Sequence, residues 1–162
     1  MHRVGQFVAH VRARVEPEEE ELVGRILPLG GARLFESMPV ADRRHGLDVA
    51  EKLLRGGHDD ADLLGAALLH DAAKGRRMRL WHRVAGVLLE TLAPSVLRRL
   101  ANANPASWRH PFHLYLHHEP MSADLATAAG CSPRLAALIR AESTTERDAH
   151  LLAALKAADD AS

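Results

Sequence analysis

A chain of 162 residues can bury a core of its own but is too short for two domains of ordinary size. Lys and Arg total 21 and so do Asp and Glu; no net field draws the chain towards nucleic acid or an anionic membrane, and any anion site has to be local. The one cysteine, Cys131, excludes an internal disulfide and a cysteine-built zinc site and fits a reducing compartment, with the cytoplasm as the expectation, and no apolar run is long enough to span a bilayer.

Apolar residues recur at three and four positions along the whole chain, with no alternating strand pattern, so the expected class is all-α. Val4, Val8, Val11 and Val15 form one helical stripe, and Pro17 opens a second helix whose Glu18 to Glu21 lie at its positive end. Pro28 through Gly31 is expected to break the chain before a short helix near Leu34 to Ser37. Pro39 then opens a longer helix that Gly56-Gly57 ends. Asp59 or Asp60 caps the next, which runs through Leu63, Leu64, Ala67 and Leu68 to Lys74 and stops at Gly75. Further helices are predicted over 80–92, 94–101, 111–118, 120–129, 133–142 and 146–159, with Glu119 before Pro120 marking a break.

Eleven histidines beside two Trp, one Tyr and three Phe is an unusual balance, and it points to a metal or acid–base site. His2, His10 and His58 read as surface residues. On a helix stepping about 100° per residue, His70 and Asp71 straddle the line through Leu63 and Ala67, and Lys74 continues it, so they face inward or into a cleft. Left unpaired there, an imidazole and a carboxylate are costly, and a metal ion or a hydrogen-bonded polar core has to satisfy them. His45 shares the stripe of Val49 and Leu53; Asp159 falls on the stripe of Leu152 and Leu155, while Asp160 turns to solvent. His45, His70, Asp71 and Asp159 thus offer two nitrogens and two carboxylates from three helices, a mixed set suited to one Mn, Fe, Co, Ni or Zn ion. Such an ion lowers the pKa of a bound water from about 15.7 towards ~7, giving hydroxide at neutral pH.

Three blocks carry a further signal: Asp42-Arg43-Arg44-His45-Gly46-Leu47-Asp48-Val49-Ala50, Ala66-Ala67-Leu68-Leu69-His70-Asp71-Ala72-Ala73-Lys74-Gly75, and Leu152-Ala153-Ala154-Leu155-Lys156-Ala157-Ala158-Asp159. In this order they resemble the HD-domain superfamily of metal-dependent phosphohydrolases, over roughly Asp42 to Asp160. The resemblance implies a single domain with an HD-domain-like helical bundle over 40–162 and additional N-terminal helices over 1–39. It also implies a divalent metal held by the residues matching His45, His70, Asp71 and Asp159. The substrate would be a nucleotide or other small phosphate ester, attacked by metal-bound water. Asp71 would belong to the catalytic centre, with Arg44 and Lys74 neutralising phosphate. Arg76, Arg77 and Arg79 read as solvated helix-end charges, and Trp81, Trp108, Phe112 and Tyr115 as core.

Some members of that superfamily hold further metals through extra histidines, for which His82, His110, His113, His117 and His118 are available here. Of these, His118 joins the inward stripe of Leu114, Met121 and Leu125 if the helix runs through Pro120, with Glu119 as a neighbouring acid–base group. Where relatives commonly place a histidine after the segment matching Leu138-Ile139-Arg140, this chain has Ala141-Glu142, so one metal is expected rather than two. Two rivals stand beside this reading. One is an HD-like domain that binds metal or nucleotide as a sensor without turnover. The other is a DNA-binding helix-turn-helix over 123–140, whose only cations are Arg134 and Arg140. Assembly into a homo-oligomer is left open by the sequence.

Overall fold

The computed structural model describes residues 17–75, 78, 80–143 and 145–162. The stripe over Val4 to Val15 and the arginines at 76, 77 and 79 lie outside the described residues. The described residues form nine helices: α1 Pro17–Ile26, α2 Leu29–Ser37, α3 Val40–Arg55, α4 Ala61–Leu69, α5 Leu80–Leu92, α6 Pro94–Leu100, α7 His110–Ala128, α8 Pro133–Ile139 and α9 Glu146–Asp160. No strand occurs among them, and none of the helices is long and apolar enough to cross a membrane.

The bundle is organised around α4. Its Leu-Leu-Gly-Ala-Ala-Leu-Leu run is apolar on every side, and Leu63 through Leu69 are all buried. Asp60 caps it, accepting from the Leu63 amide at 3.2 Å. Around it one continuous core draws Val23 and Leu27 from the α1 end, Phe35 from α2, Leu47, Val49 and Leu53 from α3, Leu135, Leu138 and Ile139 from α8, and Leu151 and Ala158 from α9. The N-terminal helices therefore share the core of the remainder. Helices α5 and α6 pack against α7 on the other flank.

Gly46 sets the tightest crossing near the site. A Cβ there would lie 3.0 Å from the Leu68 carbonyl oxygen and 3.1 Å from that of Ala67, so the bare glycine lets α3 rest directly on the backbone of α4. That crossing carries His45 towards His70.

Four boundaries depart from the sequence expectation, each for a tertiary reason. The break at 28–31 shrinks to Pro28, because α2 already starts at Leu29; Gly30 is spent on packing, since a Cβ there would lie 2.2 Å from the Ala129 carbonyl oxygen. The helix expected to reach Lys74 ends at Leu69 and continues as turns through Gly75. The two helices expected around Pro120 are one, α7. An interior proline costs about 3 kcal/mol, but this one is exposed, with Phe112 and Leu114 on one side and Ala123 and Ala126 on the other buried to hold the helix straight through. Helix α8 stops at Ile139, where the Glu142 amide donates to the Ala137 carbonyl at 2.9 Å and Ala141 takes the left-handed conformation with φ 56°. Two aromatic residues expected in the core are instead on the surface, Trp81 at 53% and Trp108 at 69% exposure, whereas Phe112 is buried.

Candidate metal centre

Past Leu69 the backbone tightens into three-residue turns, with the Ala72 amide donating to the Leu69 carbonyl at 3.0 Å and the Lys74 amide to the Asp71 carbonyl at 3.0 Å. Residues three apart eclipse in such turns. Lys74 is thereby laid over Asp71, its Nζ 2.6 Å from Oδ1 and 2.7 Å from Oδ2.

The His70 ring is steered by its own helix. Its Nδ1 lies 2.9 Å from the Ala67 carbonyl, and because a carbonyl only accepts, Nδ1 carries the proton and Nε2 is left facing the centre. His118, on α7, repeats the device, with Nδ1 3.0 Å from the Tyr115 carbonyl. From α3, His45 brings Nε2 to 2.8 Å from Asp159 Oδ1, and His70 Nε2 lies 3.6 Å from the same oxygen. His70 Nε2 and His118 Nε2 lie 3.5 Å and 3.6 Å from Asp71 Oδ1. The rings of His45 and His70 meet edge to face, 5.2 Å between centroids.

Helix α9 supplies Asp159 and is seated at both ends. Thr145 caps its start, accepting from the Asp148 amide at 3.1 Å. Arg134 on α8 links Asp148 to Asp60 and Asp62 at the start of α4, at 2.9, 2.8 and 3.2 Å. At the far end Lys52 donates to the Ala161 carbonyl at 2.5 Å. Asp160 pairs with Lys156 at 3.1 Å on the outside, as its helical phase requires.

Asp71 is 1% exposed, and both of its oxygens are met by the Lys74 ammonium. Burial pushes its carboxyl upwards, but the charges of His70, Lys74 and His118 outweigh that and hold it well below the usual carboxylate range. Asp159 is likewise raised by burial and held far down by the hydrogen bond from His45 and by the nearby His70. Burial depresses His70, yet Asp71 and Asp159 overcome it and raise its pKa to about 9. His118 goes the other way, lowered by burial and by Lys74 against the attraction of Asp71.

The donor set fits a divalent ion. The ligand atoms of His45, His70 and Asp159 all lie within 4.8 Å of one another, and imidazole with carboxylate is the chemistry that borderline divalent metals take. Asp71 stands outside that trio but beside it, its buried Oδ1 paired with Lys74 and 3.5 Å from His70 Nε2. The four residues singled out from the sequence thus converge from α3, the turn after α4, and α9.

Other expectations divide. Lys74 is at the centre. Arg44 is not: its guanidinium is taken by Glu19, by Asp48 at 2.9 Å and by Glu51 at 3.4 Å, pinning α3 to α1. A cation that sequence reasoning missed, Arg83 on α5, holds the buried Asp42 at 2.5 Å and lines a cavity together with Lys74. His82 is buried against Trp81 and Phe112. His110, His113 and His117 form a separate row on α7, with successive centroids 5.8 and 4.6 Å apart, and His117 borders a different cavity.

Two cavities meet at the centre and share Glu119 and Asp159 as a common wall. One, of about 340 Å³, includes His70, Leu138, Ile139, Leu152 and Leu155; the other, of about 600 Å³, includes Lys74, Arg83, Tyr115 and His118. Small-molecule sites have this size and this mixture of apolar wall with a few convergent polar groups. Compared with known proteins, the chain matches no family model, no curated protein and no solved structure, so the geometry of this centre is what bears on function.

Proposed function

We propose that the chain is a divalent-metal-dependent phosphohydrolase acting on a small phosphate ester, with His45, His70 and Asp159 holding the ion and Asp71 completing the set. The observation that carries this reading is the convergence of their ligand atoms from three distant parts of the chain. The resemblance of the His45, His70-Asp71 and Asp159 blocks to the HD-domain superfamily points the same way. A divalent ion held there supplies hydroxide at neutral pH and polarises the phosphoryl oxygens.

The chain's own groups have assignable work. Lys74 and Arg83 line one cavity and offset phosphate charge, in the roles the sequence assigned to Lys74 and Arg44. Burial and Lys74 lower the His118 pKa, and with Nδ1 already bound to the Tyr115 carbonyl its Nε2 faces the same cavity as a proton-transfer group. Nucleic acid is a poor partner for α8, because Arg134 is bound to Asp60, Asp62 and Asp148, and Arg140 to Asp124.

Elemental analysis of the purified protein, followed by phosphate release with added Mn, Fe, Co, Ni or Zn, tests the reading. Asp159→Ala should lose both bound metal and turnover while keeping its helical circular dichroism. Unchanged metal stoichiometry in that variant would refute the site. Ala141-Glu142, standing where sequences of the HD-domain superfamily commonly place one or two histidines, favours a second reading, a metal-binding sensor; metal bound without turnover on any phosphate ester would select it.

A further inference from the structure

We propose that the ester group of the substrate is aliphatic, and that it lies in the 340 Å³ cavity while the phosphate lies in the neighbouring one; this rests on the phosphohydrolase reading of the same centre. The two compartments differ sharply in chemistry. The larger is the charged one, with Lys74, Arg83 and His118 to meet an anion alongside Glu90, Glu119, Asp159 and Asp160. The smaller has Leu138, Ile139, Leu152 and Leu155. Its polar lining consists of His70 and Asp159, which belong to the centre itself, and of Glu119 and Lys156, both exposed.

A purine or pyrimidine placed against those leucines would leave its donors and acceptors unpaired, which a buried polar edge does not tolerate. A hydrocarbon has nothing to leave unpaired. Leu152 and Leu155 are only half-buried, so apolar surface remains there for a ligand to cover. Ala141 extends the same wall and does so at φ 56°, where glycine is the ordinary residue; the chain keeps a methyl group at a conformation that penalises it. At roughly 30 Å³ per water-sized group, the volume admits on the order of ten carbons. Because both compartments share Glu119 and Asp159, one molecule can reach from the cations to the leucines past the metal-binding trio.

The test is the binding of inert n-alkylphosphonates, methyl to octyl, and of adenosine monophosphate, measured by calorimetry on protein whose metal content has been determined. Affinity should rise about fourfold per added methylene, and octylphosphonate should bind more tightly than the nucleotide. Ala153→Phe, an exposed position on the cavity wall, and Leu152→Asn should each flatten the series, and Ala153→Phe should do so at the wild-type melting temperature. If Leu152→Asn does not fold, Ala153→Phe alone decides. A flat series on metal-loaded protein, or tighter binding of the nucleotide, overturns the aliphatic assignment and leaves the metal site standing. A steep series on protein that takes up no metal overturns the phosphohydrolase reading and leaves the cavity assignment standing.

Discussion

Lys74 lies against both oxygens of Asp71, which places a fixed positive charge beside the position a divalent ion would take. The two cations repel at short range in a poorly screened site. Lys74→Met should therefore bind Mn or Zn several-fold more tightly than the wild type, measured by competition with a chelating dye. It should also release phosphate about tenfold more slowly or worse, because the charge on the substrate loses its counterpart. Tighter metal with unaffected turnover would remove Lys74 from phosphate binding. At this scale the sequence was readable where partners lie on one helix and opaque where they do not. Arg44 has Asp48 and Glu51 at four and seven positions along the same face, so its capture by carboxylates was there to be seen in the spacing. Arg83 finds Asp42 forty-one residues away, and no local pattern announces that pair.

Helix starts were legible because proline and capping residues mark them: Pro17, Pro94, Pro133 and the Asp60 cap all sit where the chain turns into helix. The early end at Leu69 and the passage through Pro120 were not legible, since packing of neighbouring helices decides both. Gly46 gives a direct measure of one such contact. Helix propensity alone favours alanine over glycine by about 1 kcal/mol, but the added methyl would meet the carbonyls of Ala67 and Leu68, and overpacking of this kind costs about 1–3 kcal/mol. Gly46→Ala should be less stable to urea and weaker in metal binding, since His45 moves with α3; a more stable variant would contradict the close crossing. Between α4, α8 and α9 the binding agent is charge. The Arg134 guanidinium, against burial, holds the Asp60 carboxyl below its ordinary range. A carboxylate held low contributes stability above its unfolded pKa and loses it as pH falls through the folded value, so the window lies below about pH 4. Arg134→Gln should accordingly unfold at higher pH than the wild type in an acid titration followed by circular dichroism, with little difference at pH 7 to 8 beyond the loss of the ion pairs themselves.

For the whole molecule, the all-α class followed from periodicity, but which helices become neighbours did not, because many short amphipathic helices can be assembled in many orders. The centre exists only in the assembled order, so an ion that binds it stabilises the folded chain alone. At a hundredfold excess over Kd the linkage is worth about 2.7 kcal/mol, which for a domain of this length raises Tm by roughly 5–10 °C. A chelator should reverse the shift, and the Asp159→Ala protein should show none. The hydrogen-bonded pair His45 and Asp159 is separated by 114 positions. During synthesis, His45 on α3 and His70 just after α4 leave the ribosome long before Asp159, and a nascent chain cannot close the ring of donors until α9 has docked. On the proposed metal-binding reading, loading would then be a late event that reports completion of the fold, and ions captured by the two histidines alone would be weakly held and easily exchanged until that last helix arrives.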